Sequence, residues 1–223
     1  PGTSRLISFG QGKADNGQFG LLTIDEECFI ALGAKPLVPV KALKLIGRHN
    51  YLNVLAALAI GRSSGFDLHT MCEVAKQFSG LRHRCEFVRT HRGIRYFNDS
   101  KATNVGASVA AIQSMSVDNL DGLAVIAGGQ TKGAEFSDFA AAIVQANAHL
   151  VLMGDGAGDI AAAMPQDYAV CFASDMDEAV LVAASLLGAK GVVLLSPACA
   201  SFDRYDGFEQ RGDAFVTAVK NLI

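Results

Sequence analysis

The residues with the clearest chemical potential follow an apolar strand late in the chain. The segment Ser196–Asp203, with the letters SPACASFD, comes directly after the run Gly191–Leu195, which is typical of a buried parallel strand. A helical pattern that begins near Phe208 follows it. Parallel sheets bind ligands at the carboxyl ends of their strands, where free N–H groups and hydroxyls suit a carboxylate or a phosphate. The segment therefore indicates an anion site, although an ordinary strand-to-helix loop would fit it equally well.

Two other junctions between a strand and a helix carry polar residues. The segment Asn98–Asn104 reads NDSKATN, and helix capping would explain one of its polar residues but not so many. The segment Gly128–Lys132 reads GGQTK and is too short to wrap a triphosphate. Taken alone, Lys132 fits an exposed loop lysine. Because it follows a strand of the same predicted sheet, we expect it at the same edge as Ser201.

The first half of the chain contains two asparagines that could contact the polar edge of a ligand. Asn50 and Asn53 are one helical turn apart, so both can face one ligand, although capping of the helix would also explain Asn50. Further on, His83 and Arg84 precede a predicted hairpin. A lone histidine is usually structural, whereas an arginine at such a junction suits a phosphate.

These residues must be positioned by two different kinds of structure. Residues 1 to about 46 contain short extended runs separated by turn signals, which predict a small antiparallel β-element; the runs lie at 5–9, 19–22, 28–32 and 37–40. Helices are predicted at about 50–61 and at 68–78, the second capped by Asp67. Their alanines and apolar faces indicate packing against something larger, hence an incomplete domain. The boundary is predicted near Ser79–Gly80.

From Leu81 onward the pattern changes to alternating strands and helices. A hairpin is predicted first, from Cys85 to Thr90 and from Ile94 to Asn98. Strands follow at about 122–127, 149–153, 168–172 and 191–195, and helices at about 104–115, 136–146, 157–164, 176–187 and 208–222. This alternation predicts βαβ units and a parallel sheet with right-handed crossovers.

Composition excludes several classes of function. Of the 223 residues, 50% are hydrophobic and 18% are charged, with a net charge of −3, so we expect a globular core and no nucleic-acid partner. The five cysteines have no metal-site spacing and are interpreted as free cytosolic thiols. No apolar run is long enough for a membrane span and no signal peptide opens the chain. The expected location is cytoplasmic, without membrane insertion.

Four segments, in order, resemble motifs of the Mur ligases, the ATP-dependent amide-bond ligases of peptidoglycan synthesis. They are GRHNYLN at 47–53, GLRHRCE with FNDSKATN at 80–104, GGQTK at 128–132 and SPACASFD with FEQRG at 196–212. The resemblance is close from about residue 45 to 223 and loose before that. The residues of these motifs are most similar to those of members that add D-glutamate to UDP-N-acetylmuramoyl-L-alanine through an acyl phosphate, with ATP and Mg²⁺ as cofactors.

The resemblance also implies a domain organisation and roles for individual residues. It implies an α/β fold, with residues 81–223 as a Rossmann-like, amino-acid-binding domain with a mostly parallel sheet, and 1–80 as the incomplete end of a central ATP-binding α/β domain. The nucleotide contacts implied are Asn50, Asn53, His83, Arg84 and Asp99, which would bridge the two domains. The amino-acid contacts implied are Thr103, Lys132, Ser201 and Phe208, with Lys101 and Cys199 lining the site.

The chain departs from the family in one respect. The family's phosphate loop, magnesium ligands, modified lysine and uridine-nucleotide domain precede the first matching residue, and the chain has no GxxxxGK[ST] segment. We therefore assign no catalytic residue and expect the 223 residues alone to be inactive. Two alternatives stay open: another Mur-type ligase or a folylpolyglutamate synthase, and a non-catalytic module that binds a nucleotide or an amino acid.

Overall fold

The chain forms two compact units, Pro1–Gly80 and Leu81–Ile223. The structure is a computed structural model that describes residues 6–13, 17–45, 47–117 and 121–223. Within these residues, no helix is both long enough and apolar enough to cross a bilayer. All five cysteines are free thiols in this structure.

The first unit combines a four-stranded sheet with two helices. Its strands, in the order in which they pair, are β1 (Phe9–Lys13), β2 (Phe19–Ile24), β3 (Glu27–Leu32) and β4 (Lys35–Pro39). A 3₁₀ turn at Val40–Ala42 leads to α1 (Arg48–Ser63) and α2 (Leu68–Gln77). One apolar cluster joins sheet and helices, with Phe19, Ile30 and Leu55 buried at its centre.

The expected antiparallel arrangement is only partly right. β2, β3 and β4 pair antiparallel, but β1 pairs parallel with β2, with Phe9 opposite Phe19. The run expected at 5–9 is wrong at residues 6–8, because the strand starts only at Phe9. Residue 5 lies outside the described residues. The physical reason is that Gly10 and Gly12 obscure the alternating pattern of this strand, while its position is fixed by hydrogen bonds to β2.

The two helices of the first unit begin in different ways. Gly47, at φ 99°, is the N-cap of α1, so Asn50 does not cap that helix. Asp67 caps α2 as predicted, because its carboxylate accepts a hydrogen bond from Thr70 N at 2.7 Å. An apolar groove of about 510 Å³ lies along the pair and includes Phe78. The expectation that these helices pack against a larger structure stays a prediction.

The second unit is built on a six-stranded sheet in the order β5-β6-β10-β7-β8-β9. Its strands are β5 (Glu86–His91), β6 (Ile94–Asn98), β7 (Leu123–Ala127), β8 (His149–Leu152), β9 (Val170–Phe172) and β10 (Gly191–Leu195). Its helices are α3 (Val105–Val117), α4 (Ser137–Gln145), α5 (Ala157–Ala163), α6 (Met176–Leu187) and α7 (Phe208–Lys220). Only the β5–β6 hairpin is antiparallel. The predicted α/β class and mostly parallel sheet are confirmed.

Both faces of this sheet are covered by helices. All of β10 is buried, and its residues alternate between the two faces, as a period of two requires. Leu194 packs in a cluster with α3, α4 and α5, whereas Val193 packs in a second cluster with α6 and α7. Burial on both sides explains why the strand is a continuous apolar run. It also leaves the strand ends as the polar part of the sheet.

Candidate functional site

Three loops meet at the carboxyl edge of the second unit's sheet. β10 pairs in parallel with both β6 and β7, so the segments that follow these three strands are neighbours. Gln130 and Ala200 exchange two backbone hydrogen bonds, of 2.9 and 3.1 Å. Gly128 N also donates to Pro197 O at 2.9 Å. The loops that carry Lys132 and Ser201 are therefore joined directly, at the edge where the sheet topology predicts them.

Two lysines at this edge lie beside aromatic rings. Lys101 Nζ is 3.7 Å from the centre of the Phe208 ring, and Lys132 Nζ is 5.2 Å from that of Phe202. Both geometries are within the range of cation–π attraction. This edge of the sheet thus carries two ammonium groups, on two different loops.

The remaining residues expected to bind the amino acid differ in exposure. Thr103 is half-buried between β6 and α3, and Ser201 is buried. Phe208 is the first residue of α7, so its N–H belongs to a helix N-terminus, which favours negative charge. Hydroxyls, an N–H group and lysines are the types of donor that a dicarboxylate requires.

Arg211 is a residue that the sequence interpretation did not single out. It lies one turn into α7 and is only 3% exposed. Its guanidinium donates hydrogen bonds to Ser100 and to Cys199 O, among other acceptors. Burial lowers its pKa to about 10. It lies within the FEQRG segment at 208–212, but the helical pattern there gives no sign that it is buried, because an arginine is normally exposed.

Asp99 connects the end of β6 to the loop after β10. Its carboxylate accepts hydrogen bonds from Cys85 N at 3.2 Å and from Ser196 Oγ at 3.1 Å. Burial raises the pKa of Asp99 from 3.8 to about 6, although these hydrogen bonds and the charge of Arg84 oppose the rise. Much of the hydrogen-bonding capacity of this carboxylate is thus used inside the unit.

The raised pKa of Asp99 makes stability depend on pH in a defined direction. Between about pH 4 and pH 6 the folded state binds more protons than the unfolded state, so the free energy of unfolding falls as the pH rises. A pKa difference of this size corresponds to about 2–3 kcal/mol. We expect the stability of Asp99→Asn relative to wild type to increase by that amount between about pH 4 and pH 7.

Urea unfolding followed by circular dichroism measures this difference on the 223-residue chain. Asp167→Asn, which removes an exposed carboxylate, is the control for the change in charge. A stability difference between Asp99→Asn and wild type that stays constant across this pH range would contradict the prediction.

The residues expected to contact a nucleotide belong to both units. Asn50 and Asn53 are neighbours on α1 of the first unit, with Asn53 Nδ2 3.5 Å from Asn50 Oδ1. In the second unit Arg84 is exposed. His83 is buried, with Nδ1 3.0 Å from Asn98 Nδ2 and its ring edge-on to Phe208.

His83 also accounts for a glycine in the middle of α7. A Cβ on Gly212 would overlap the His83 ring, so only glycine lets the helix approach so closely. An isolated glycine inside a helical pattern is the sequence signal for this contact.

Cys199 has the environment of a packing residue. It is 1% exposed, and burial raises the pKa of its thiol to about 12. A nucleophilic cysteine needs an accessible thiolate, so this one lines the loop without acting as a nucleophile.

Comparisons of sequence with known proteins agree on one group. The family described as "Mur ligase, glutamate ligase domain" matches residues 83–199. The UDP-N-acetylmuramoylalanine–D-glutamate ligase of Pseudomonas aeruginosa is 45% identical over 216 residues, which are 96% of this chain and 48% of that protein. The enzyme of the same name from Legionella pneumophila is 38% identical over 218 residues, 98% of this chain and 49% of that protein. The chain thus spans about half the length of the curated relatives it matches.

Comparisons of structure show the same fold in more distant proteins. A UDP-N-acetylmuramate–alanine ligase from Thermotoga maritima matches with a TM-score of 0.63 and 19% identity over 95% of this chain and 47% of that one. A folylpolyglutamate synthase from Mycobacterium tuberculosis, solved with ADP, matches with a TM-score of 0.64 and 17% identity over 90% of this chain and 47% of that one. At these identities the likeness concerns the fold alone.

Proposed function

Because the chain belongs to the Mur ligase family, we propose that it forms the amino-acid-binding part, and some of the nucleotide-binding part, of an ATP-dependent ligase. The reaction proposed is the addition of D-glutamate to UDP-N-acetylmuramoyl-L-alanine in peptidoglycan synthesis. The sequence relatives that bear this activity in their names are 38–45% identical. We propose a cytoplasmic location for it.

The observation that carries this proposal is the meeting of three loops at one sheet edge. D-glutamate has two carboxylates, and the edge offers two lysines, two hydroxyl side chains and the first N–H of a helix. Lys132 would bind a carboxylate by charge, Thr103 and Ser201 by their hydroxyls, and Phe208 through its backbone N–H. Lys101 would line the same site. Binding both carboxylates fixes the direction of the amine.

In the ligation proposed, ATP phosphorylates the carboxylate of the nucleotide substrate, and the amine of D-glutamate attacks the acyl phosphate. The C–N bond forms as the phosphate leaves with the electron pair of the C–O bond, and the amine loses a proton. The part assigned to this chain is to hold and orient the amino acid. Within its described residues, no three His, Cys, Asp or Glu side chains converge as metal ligands. No step here is therefore assigned to magnesium.

For the nucleotide we propose contacts from Asn50, Asn53 and Arg84, whose side chains are half-buried or exposed. The folylpolyglutamate synthase of the same fold was solved with ADP, which supports a nucleotide site in this architecture. His83 and Asp99 are buried, so contact between them and a nucleotide requires the loop around them to open. The alternative of a folylpolyglutamate synthase or another Mur-type ligase has weaker support, since those structures are 16–19% identical.

The test is a substrate panel with the full-length protein that carries this sequence. ATP, magnesium and UDP-N-acetylmuramoyl-L-alanine are supplied with D-glutamate, L-glutamate, L-alanine or diaminopimelate, and phosphate release and product mass are measured. Of these four amino acids, we expect only D-glutamate to support turnover. Turnover with a different amino acid, or none with D-glutamate, would contradict the proposal. The 223-residue chain by itself is expected to release no phosphate above background.

A further inference from the structure

The second unit contains a buried positive charge without a paired carboxylate. Arg211 is 3% exposed, and the ion pairs found among the described residues do not include it. Placing a guanidinium in the interior without a counter-ion is costly. The fall in its pKa that burial causes reflects the same cost. A cation in this position needs an explanation beyond packing.

The acceptors of Arg211 belong to all three loops of the site. They are Ser100 Oγ at 3.0 Å, Ser100 O at 2.9 Å, Cys199 O at 3.1 Å from each terminal nitrogen, Ala200 O at 3.3 Å and Gly128 O at 3.4 Å. Ser100 Oγ in turn donates to Phe208 O at 2.8 Å. One planar group therefore sets the positions of the segments that carry Thr103, Lys132 and Ser201.

We propose that Arg211 is the positioning residue of the amino-acid site, which aligns its three loops and places an unpaired positive charge next to the bound carboxylates. The inference rests on the function proposed above. The rigid fork of a guanidinium can bind several carbonyl oxygens at once, whereas an ammonium is a point charge with fewer donors. The acceptors of Arg211 are all neutral. The charge of the Asp203 carboxylate raises the pKa of Arg211, against the effect of burial, but Asp203 forms no ion pair with it. A carboxylate ligand would add negative charge at this place.

A purely structural arginine would behave differently from the one proposed. Its loss would lower stability and the fraction of active enzyme, which reduces the apparent kcat and leaves the KM values for both substrates unchanged. Loss of a residue that positions the amino-acid site should instead raise the KM for the amino acid and leave the KM for ATP unchanged. Arg211→Lys adds a second distinction, because burial lowers the pKa of a lysine and its charge at this position becomes dependent on pH.

The experiment uses steady-state kinetics of the full-length protein at about pH 7 and about pH 9. For Arg211→Lys we expect the KM for D-glutamate, relative to wild type, to be raised about tenfold at the lower pH and further at the higher pH. In Arg211→Gln, which has no charge to lose, the KM for D-glutamate relative to wild type should be raised by the same factor at both pH values. In both variants the KM for ATP should stay within about twofold.

Arg204→Lys is the matched control, since Arg204 is an exposed arginine on the loop that leads into α7, and its side chain donates a hydrogen bond to Ser174 O. It should match wild type at both pH values. An unchanged KM for D-glutamate in the Arg211 variants would overturn the inference, and so would equal changes in the KM values for D-glutamate and ATP, or loss of the folded state in both variants. Absence of D-glutamate turnover in the wild type would instead contradict the proposed function.

Discussion

Replacing Lys132 by alanine in the full-length protein is expected to raise the KM for D-glutamate by about 10- to 100-fold, because hydrogen bonds to charged groups contribute about 1.5–3 kcal/mol. The ammonium of Lys132 lies on the loop joined to the one that carries Ser201. It would bind a carboxylate that does not react, so ground state and transition state lose the same interaction. The kcat should therefore change little.

Lys190→Ala is the control for this prediction. Lys190 is also exposed, but it precedes β10 and so lies at the opposite edge of the same sheet. Its removal tests whether the loss of one surface charge alone weakens binding of an anionic substrate. The KM for D-glutamate should stay at the wild-type value in Lys190→Ala, and an unchanged KM in Lys132→Ala would count against the proposed site.

The second large effect concerns the glycine that begins the Lys132 loop. Gly128 has φ 120°, and a Cβ added there would overlap the backbone carbonyl of Met153 at the end of β8. Backbone atoms of a buried strand end cannot move aside as a side chain can. We expect Gly128→Ala to lower the free energy of unfolding by about 2–5 kcal/mol, the sum of a positive-φ penalty and overpacking.

Gly133→Ala separates these two contributions. Gly133 lies in the same loop at φ 74°, but a Cβ there would meet open space. Only the left-handed backbone is then penalised, by about 1–2 kcal/mol. Urea unfolding of the chain measures both variants, and equal losses of stability would show that the overlap at Met153 is relieved without cost.

The sequence predicted the second unit well because its strands and helices differ in length and composition. Buried runs such as Leu123–Ala127 and Gly191–Leu195 are short and almost entirely apolar, and they alternate with longer helical patterns. The first unit was predicted less well, since β1 contains Gly10 and Gly12 and its parallel pairing depends on a partner strand. Such a strand lacks the alternating hydrophobic pattern by which a strand is predicted from sequence.

At the candidate site, the sequence predicted where the loops lie but not what holds them. Lys132 and Ser201 could be placed at one edge because the carboxyl ends of parallel strands meet there. The burial of Arg211 could not be predicted from the sequence. Its acceptors lie on segments around residues 100, 128 and 199 that become neighbours only in the folded sheet. The positions of such acceptors are a property of the tertiary structure.

The position of β10 has a consequence for how the protein is made. This strand comes after all of its sheet neighbours in the sequence, yet it fills the gap between β6 and β7. A ribosome therefore releases the hairpin, and then β7 to β9, well before the strand that joins them. Until then the edges of β6 and β7 are unpaired, and such edges can pair with other chains. The second unit closes late in synthesis, and a chain interrupted before Gly191 is left with two exposed edges.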